Sequence, residues 1–244
     1  MLITIQETSI ILFILLNLST IKSIFIFKIS QSYVKLLTVI TKRSTCHMRK
    51  FAFYLPQFYE TNENNKWWGK GFTEWSHVKN AKPLYKNHNQ PISPLKDNYY
   101  NLLNKDTVLQ QTELMNKYHI DGLIYYHYYF CGKLLLEKPA QNLLKWTDIN
   151  QPFFFCWANH TWYKSQNNKK QTLLEQTYGN KDDWNKHFEY CLPFFQDSRY
   201  EKIDNKPVLM LFNSSFPEKK NIISFFNSKC IENGFSGIYV IETY

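Results

Sequence analysis

Five short, almost unbroken runs of apolar and aromatic residues constrain this chain more than any other feature. They are FAFYLPQFY (51–59), LIYYHYYF (123–130), PFFFCW (152–157), VLMLF (208–212) and GIYVI (237–241). A strand with one wet face alternates apolar and polar residues, whereas a continuously apolar run reads as a strand covered on both faces, the habit of parallel sheets. Between the runs lie segments whose apolar residues recur at three- and four-residue steps. Thr107–His119 is one. Asp182–Gln196 is the clearest, with Trp184, His187, Phe188, Cys191 and Phe195 on one stripe and two acids at its start, where the helix dipole favours them. Asn221–Ile231 is another, stopped by Asn233-Gly234. Leu134–Trp146 predicts a helix broken near Pro139. Strands alternating with helices make an α/β protein.

Two architectures meet this pattern. An open doubly wound sheet that binds nucleotides carries a glycine-rich turn directly after a strand. Gly69-Lys70-Gly71 instead lies well past the first strand and opens no obvious helix. The other is a (β/α)8 TIM-like barrel, which takes about 250 residues for eight units. This chain has 244 residues and spends them on about five βα units, because its first loop runs to roughly Asn98. We therefore expect an incomplete barrel whose C-terminal part is missing.

The formal net charge of +9 invites a nucleic-acid reading, but its location argues otherwise. Residues 1–50 hold seven basic residues against Glu7 alone, so most of the excess sits outside the body of the fold, and no nucleic-acid partner is expected. Residues 1–48 read as a separate hydrophobic and basic N-terminal segment, distinct from a catalytic domain over 49–244. Apolar stretches within residues 10–27 are interrupted by Lys22. The segment reads either as a signal anchor, giving membrane association with a cytoplasmic body, or as a non-native extension upstream of a start at Met48. Localisation is accordingly cytoplasmic or membrane-associated. The five cysteines (Cys46, Cys131, Cys156, Cys191 and Cys230) include no C-x-x-C pair, which fits reduced buried thiols better than zinc or a disulfide framework. No metal or other cofactor is expected.

In a barrel, the active site collects where the strands end. Those ends carry Gln57 after the first strand, with Glu74 among Trp67, Trp68 and Trp75 in the following loop. The second strand offers Tyr126 and His127 beside Tyr128. The third offers Trp157, Asn159, His160 and Trp162, with Glu175 and Gln176 following. Indole faces receive the C–H faces of sugars, and a carboxylate among them can move protons. A lone histidine in an aromatic strand, such as His127, is more often a hydrogen-bonded core residue than a catalyst. Nothing here forms a metal cluster or a Ser-His-Asp set.

Read in order, YLPQF, WWGKGFTEW, AKPLY, IDG followed by YYHYYF, CWAN-x-x-W, EQTY and HFEYCLPFFQDSRY resemble the WbsX-type glycosyltransferases, relatives of glycoside hydrolase family 99. The resemblance runs from Arg49 to Tyr244. It implies a (β/α)8 barrel and chemistry at a glycosidic bond: glycosyl transfer in polysaccharide or lipopolysaccharide O-antigen-type biosynthesis, or the related endo-glycosidase hydrolysis. It also implies an oligosaccharide or polysaccharide substrate and a sugar nucleotide donor. Glu74 of GFTEW and Glu175 of EQTY match family positions as candidate catalytic carboxylates, and Tyr54, Gln57, Trp67, Trp68, His127, Trp157 and Asn159 match as substrate-binding positions. One departure stands out. The family reads WANENW where this chain has Trp157-Ala158-Asn159-His160-Thr161-Trp162, so His160 replaces a carboxylate. Retaining glycosidases pair two carboxyl groups about 5 Å apart. The alternative expectation is therefore a non-catalytic or vestigial carbohydrate-binding protein.

Overall fold

The computed structural model describes residues 48–166 and 169–243. Expectations for the N-terminal segment, including membrane association through residues 10–27, lie outside them. Among the described residues no helix is long and apolar enough to cross a membrane. Residues 49–244 form one compact unit.

Among the described residues, nine strands and six α-helices follow one another: β1 (Phe51–Tyr54), α1 (Asn62–Trp68), α2 (Glu74–Asn80), α3 (Lys105–Lys117), β2 (Gly122–Phe130), β3 (Lys133–Leu135), α4 (Lys138–Lys145), β4 (Phe153–Trp157), β5 (Trp162–Gln166), β6 (Lys169–Leu174), α5 (Lys181–Gln196), β7 (Lys202–Ile203), β8 (Lys206–Leu211), α6 (Lys219–Glu232) and β9 (Tyr239–Glu242). The main sheet is mostly parallel. β1, β2, β4, β8 and β9 lie side by side in chain order, each parallel to the next, while β3 and β7 add short antiparallel pairings to β2 and β8. β5 and β6 form a separate antiparallel hairpin. The fold is thus α/β as expected. Closure into a barrel is not seen among the described residues.

The five apolar runs are the five parallel strands, with corrected ends. The first stops at Tyr54 rather than Tyr59, because Pro56 has no N–H for a ladder. Two helices occupy what reads as a loop. The polar cluster Thr61–Asn65 is a helix start in which the Thr61 side chain accepts from Asn64 N–H. Thr73 caps α2, its own N–H donating to Ser76 Oγ, so the Gly69–Gly71 turn does lead into a helix. Pro139 falls in the first turn of α4, where its missing N–H costs nothing, and Lys133–Leu135 pairs with β2 instead of extending that helix. Gly122 starts β2 because a Cβ there would lie 2.5 Å from the Phe51 ring and 2.8 Å from the Pro152 carbonyl oxygen.

Alternation along the strands sorts side chains to two faces. Tyr54, Tyr125, His127, Phe155 and Trp157 face the helices: Tyr54 donates to Gln111 of α3, while Phe155 packs on Phe194 of α5 and His187 of α5 on Phe226 of α6. Phe53, Tyr126 and Phe212 form a run of ring contacts on the opposite face (5.4 and 6.0 Å between centroids), where Phe53 and Phe212 stay 52% and 42% exposed. Arg199 ties the helix layer together. Its guanidinium donates to the carbonyls of Leu143, Trp146 and Ile149 at the end of α4 and pairs with Asp197 at 2.7 Å, both side chains nearly buried. Burial alone would raise the Asp197 pKa; the bonds from Arg199 hold it below the usual value.

Candidate active site

The C-terminal ends of β1, β2 and β4 open into a cleft of ≈ 390 Å³. Gln57 follows β1, Tyr128 comes from β2, and His160, Thr161, Trp162 and Tyr163 come from the turn after β4 and the start of the hairpin. Asn64 and Trp68 of α1 complete it with Leu173. Three elements outside the main sheet therefore shape the opening. α1 and the hairpin are joined across it: Lys164 donates to the Trp67 carbonyl at 2.9 Å and sits 4.8 Å from the Trp68 ring, and Trp67 meets Trp162 edge-on.

Glu74 stands at the first position of α2, half-buried and within reach of His77, whose ring contacts those of Trp68 and Phe72. Burial raises its pKa above the ordinary carboxylate value, against a lowering by His77. Its charge is felt by Tyr128 in the cleft, whose phenol is raised mainly by burial and to a lesser degree by Tyr126, Cys156 and Glu74. A carboxyl shifted toward neutrality beside an aromatic cleft suits proton transfer.

Of the sequence-predicted site residues, Gln57, Trp68, His160 and Trp162 line the cleft. Glu74, Trp67 and Tyr126 adjoin its lining, and Gln176 is joined to it by the bond from its N–H to Thr161 Oγ1. Glu175 is exposed at the end of the hairpin and does not line the cleft. The others lie in packed surroundings. Tyr54 is bound to α3. Trp75 donates to the Tyr100 carbonyl and packs on Phe58. Trp157 is buried, donating to the Tyr129 carbonyl. Asn159, fully buried, clasps Asn213 through two bonds, joining the ends of β4 and β8. His127 faces the helices, stacked on Phe155 and 2.9 Å from His187 through their Nε2 atoms.

His127, His187 and Cys191 are the described residues that could gather round a metal, all buried, with ligand atoms within 4.8 Å of one another. Two imidazole nitrogens on one tetrahedral zinc would sit roughly 3.3 Å apart, from bond lengths of 2.0–2.1 Å. At 2.9 Å the pair is instead a hydrogen bond, one ring donating and the other accepting. Burial lowers the His127 pKa to about 3 and carries His187 well below its usual value, so both rings are neutral. A larger groove, ≈ 480 Å³, runs between α5 and α6. The sequence reading missed Asn64, Thr161 and the hairpin wall. Asn64 sits in a polar cluster that resembles a turn, and only the capping pattern beginning at Thr61 marks it as helical.

The chain is 32% identical over 190 residues to proteins named WxcX from two strains of Xanthomonas campestris pv. campestris, B100 and ATCC 33913; the match covers 78% of this chain and 27% of each relative. The chain thus spans about a quarter of the length of these curated relatives. No solved structure matches it. The family profile of glycosyltransferase WbsX matches residues 50–244, and the chain belongs to that family.

Proposed function

We propose that this chain performs glycosyl transfer in polysaccharide assembly of the lipopolysaccharide O-antigen type, with Glu74 as the acid/base group and Trp68 and Trp162 as the sugar platform. The observation that carries the reading is the cleft at the strand ends, lined by two tryptophans and polar side chains, with a carboxyl of raised pKa beside it. Family membership implies a carbohydrate substrate. A sugar nucleotide as donor is part of the proposal. In the reaction, Glu74 would take the proton of the acceptor hydroxyl as its oxygen bonds to the donor sugar's anomeric carbon and the bond from that carbon to the nucleotide's phosphate oxygen breaks, the nucleotide leaving; in the related hydrolysis it would give a proton to the leaving glycosidic oxygen while water adds to the anomeric carbon. Its raised pKa brings both roles nearer neutral pH.

We read the sheet as an arc of a (β/α)8 barrel. Strand order follows chain order, whereas a doubly wound sheet reverses direction at a switch point. The packed helices share one face, and the exposed aromatic run of Phe53, Tyr126 and Phe212 lies on the other, where a barrel has its interior.

Glu74→Gln tests the chemistry. Turnover of a matching oligosaccharide should fall roughly 100- to 10,000-fold, the usual worth of a positioned acid or base, with the thermal midpoint unchanged. Undiminished turnover removes Glu74 from the mechanism. Carbohydrate binding without turnover is a second reading, favoured by His160 occupying the cleft where the family has an acid and by the exposure of Glu175. Saturable glycan binding by a wild-type chain with no turnover would select it.

A further inference from the structure

Two polar atoms at the cleft have no hydrogen-bond partner among the described residues: Nδ2 of Asn64 and Nδ1 of His160. Asn64 is 1% exposed, and both atoms are closed to bulk water. Buried polar groups in folded proteins are nearly always bonded, so an orphan asks for an explanation. Here two orphans come from separate elements, α1 and the turn after β4, and both residues line the same cleft. Asn159, at the end of β4, spends its side chain on two bonds with Asn213, whereas Gln176, joined to the cleft through Thr161, also leaves its Oε1 unpartnered.

We propose that Asn64 and His160 form a hydrogen-bonding subsite for adjacent hydroxyls of a neutral sugar ring, an inference that rests on the carbohydrate reading above. The proposal requires a rotation about χ2 that turns each atom toward the cleft its residue lines. An amide N–H needs an acceptor, a neutral imidazole nitrogen takes either role, and a sugar hydroxyl both gives and accepts, so it satisfies both. The ring's apolar face is left for Trp68 and Trp162. The class of sugar follows from charge. None of the cleft-lining residues is an acid or a lysine or arginine, and burial lowers the pKa of His160, keeping it neutral. A uronic acid or a nucleotide diphosphate would enter this subsite with no counter-charge in its lining.

The experiment uses the full 244-residue chain on an array of neutral and uronic-acid oligosaccharides, with titration of the tightest glycan followed by tryptophan fluorescence. Wild type should select a neutral glycan. Asn64→Leu and His160→Phe should each weaken binding roughly three- to tenfold, the net worth of one hydrogen bond. Thermal midpoints should hold or rise, since each variant removes an unpaired buried polar group. A residue with a merely structural role would show the reverse, lower stability with affinity intact. His160→Asn, which keeps a polar atom near the position of Nδ1, should retain binding. Unchanged affinity in Asn64→Leu, or selection of charged glycans alone, overturns this inference while Glu74-dependent turnover, and with it the proposed function, stands. A wild-type chain that binds no glycan and shows no Glu74-dependent turnover overturns both.

Discussion

Strand β2 divides its polar side chains between two environments, and the contrast separates scaffold from site. Toward the helices it sends His127 and Tyr129, and both are paired: His127 with His187 at 2.9 Å, Tyr129 by donating to the Asp183 carbonyl at 3.1 Å. Toward the opposite face it sends Tyr126 and Tyr128. These meet the cleft and its rim, where Asn64 and His160 each keep an unpartnered atom. Behind the sheet, the polar side chains of β2 serve the fold, although the Tyr190 hydroxyl of α5 is left without a partner there too; in front of it, polar valence is left over at the cleft. A buried polar group that is bonded holds neighbours in place, whereas one left unbonded destabilises the free protein and is tolerated where an occupant repays it.

The sharpest test of the scaffold side is Arg199. Its five donor contacts fasten the end of α4 to the segment before β7, and its charge balances Asp197. Arg199→Met keeps the aliphatic stem but strands Asp197 and three carbonyls. Breaking one partner of a buried pair costs about 3–5 kcal/mol, so the urea midpoint should drop steeply with the slope unchanged. A loss below about 1 kcal/mol would mean that the pair behaves as a surface contact, and the contrast between the two faces would weaken.

The histidine pair comes next. His187→Leu alone leaves His127 with an unsatisfied nitrogen, at about 1–3 kcal/mol. His127→Leu combined with His187→Leu removes both partners and should recover much of that loss. The pH dependence has a defined sign. Both folded-state pKa values lie below the unfolded value near 6.5, so between that value and about 3 the unfolded chain binds more protons than the folded one. The pair's contribution is therefore whole above pH ~6.5 and is lost as the pH falls, at up to about 1.4 kcal/mol per pH unit for each ring. Thermal midpoints measured from pH 7 to 4 should fall steeply in wild type and less so in the double variant. Equal slopes would show that these rings are not what makes the fold acid-sensitive.

The same division explains what the sequence discloses. The scaffold side is written in long apolar signals: LIYYHYYF, PFFFCW and VLMLF read as buried strands because burial on both faces demands unbroken hydrophobicity, and β2, β4 and β8 fall there. The stripe of α5 is legible for the same reason. The cleft side lacks such signals. α1 reads NENNKWW, polar but for its two tryptophans, and persists as a helix through the Thr61 cap and the docking of Trp67 on Trp162. The hairpin segment from Tyr163 to Thr172 is almost wholly polar, so no alternation marks its strands. Site residues share that limit. Trp68, Trp162 and Gln57 are visible as strand-end chemistry, but whether His127 or Tyr128 reaches the cleft depends on one residue of register, which composition does not reveal.

The smallest expected effect concerns the join between the walls of the cleft, and it sharpens the comparison most finely. Lys164 is the one cation tied to both α1 tryptophans, through the Trp67 carbonyl and the Trp68 ring, and it makes no ion pair among the described residues. Lys164→Met preserves the stem and deletes the charge, one hydrogen bond and the cation–π contact. For half-buried groups these sum to about 1 kcal/mol or somewhat more, far below the loss at Arg199. If the cleft side is built for occupancy rather than for stability, the change should appear in ligand response: the Trp68 emission shifts toward the red as its ring is freed, and affinity for the bound glycan falls a few-fold. If stability falls as far as in Arg199→Met, the hairpin and α1 belong to the scaffold, and the division between a paired back and an unpaired front must be redrawn around a smaller cleft.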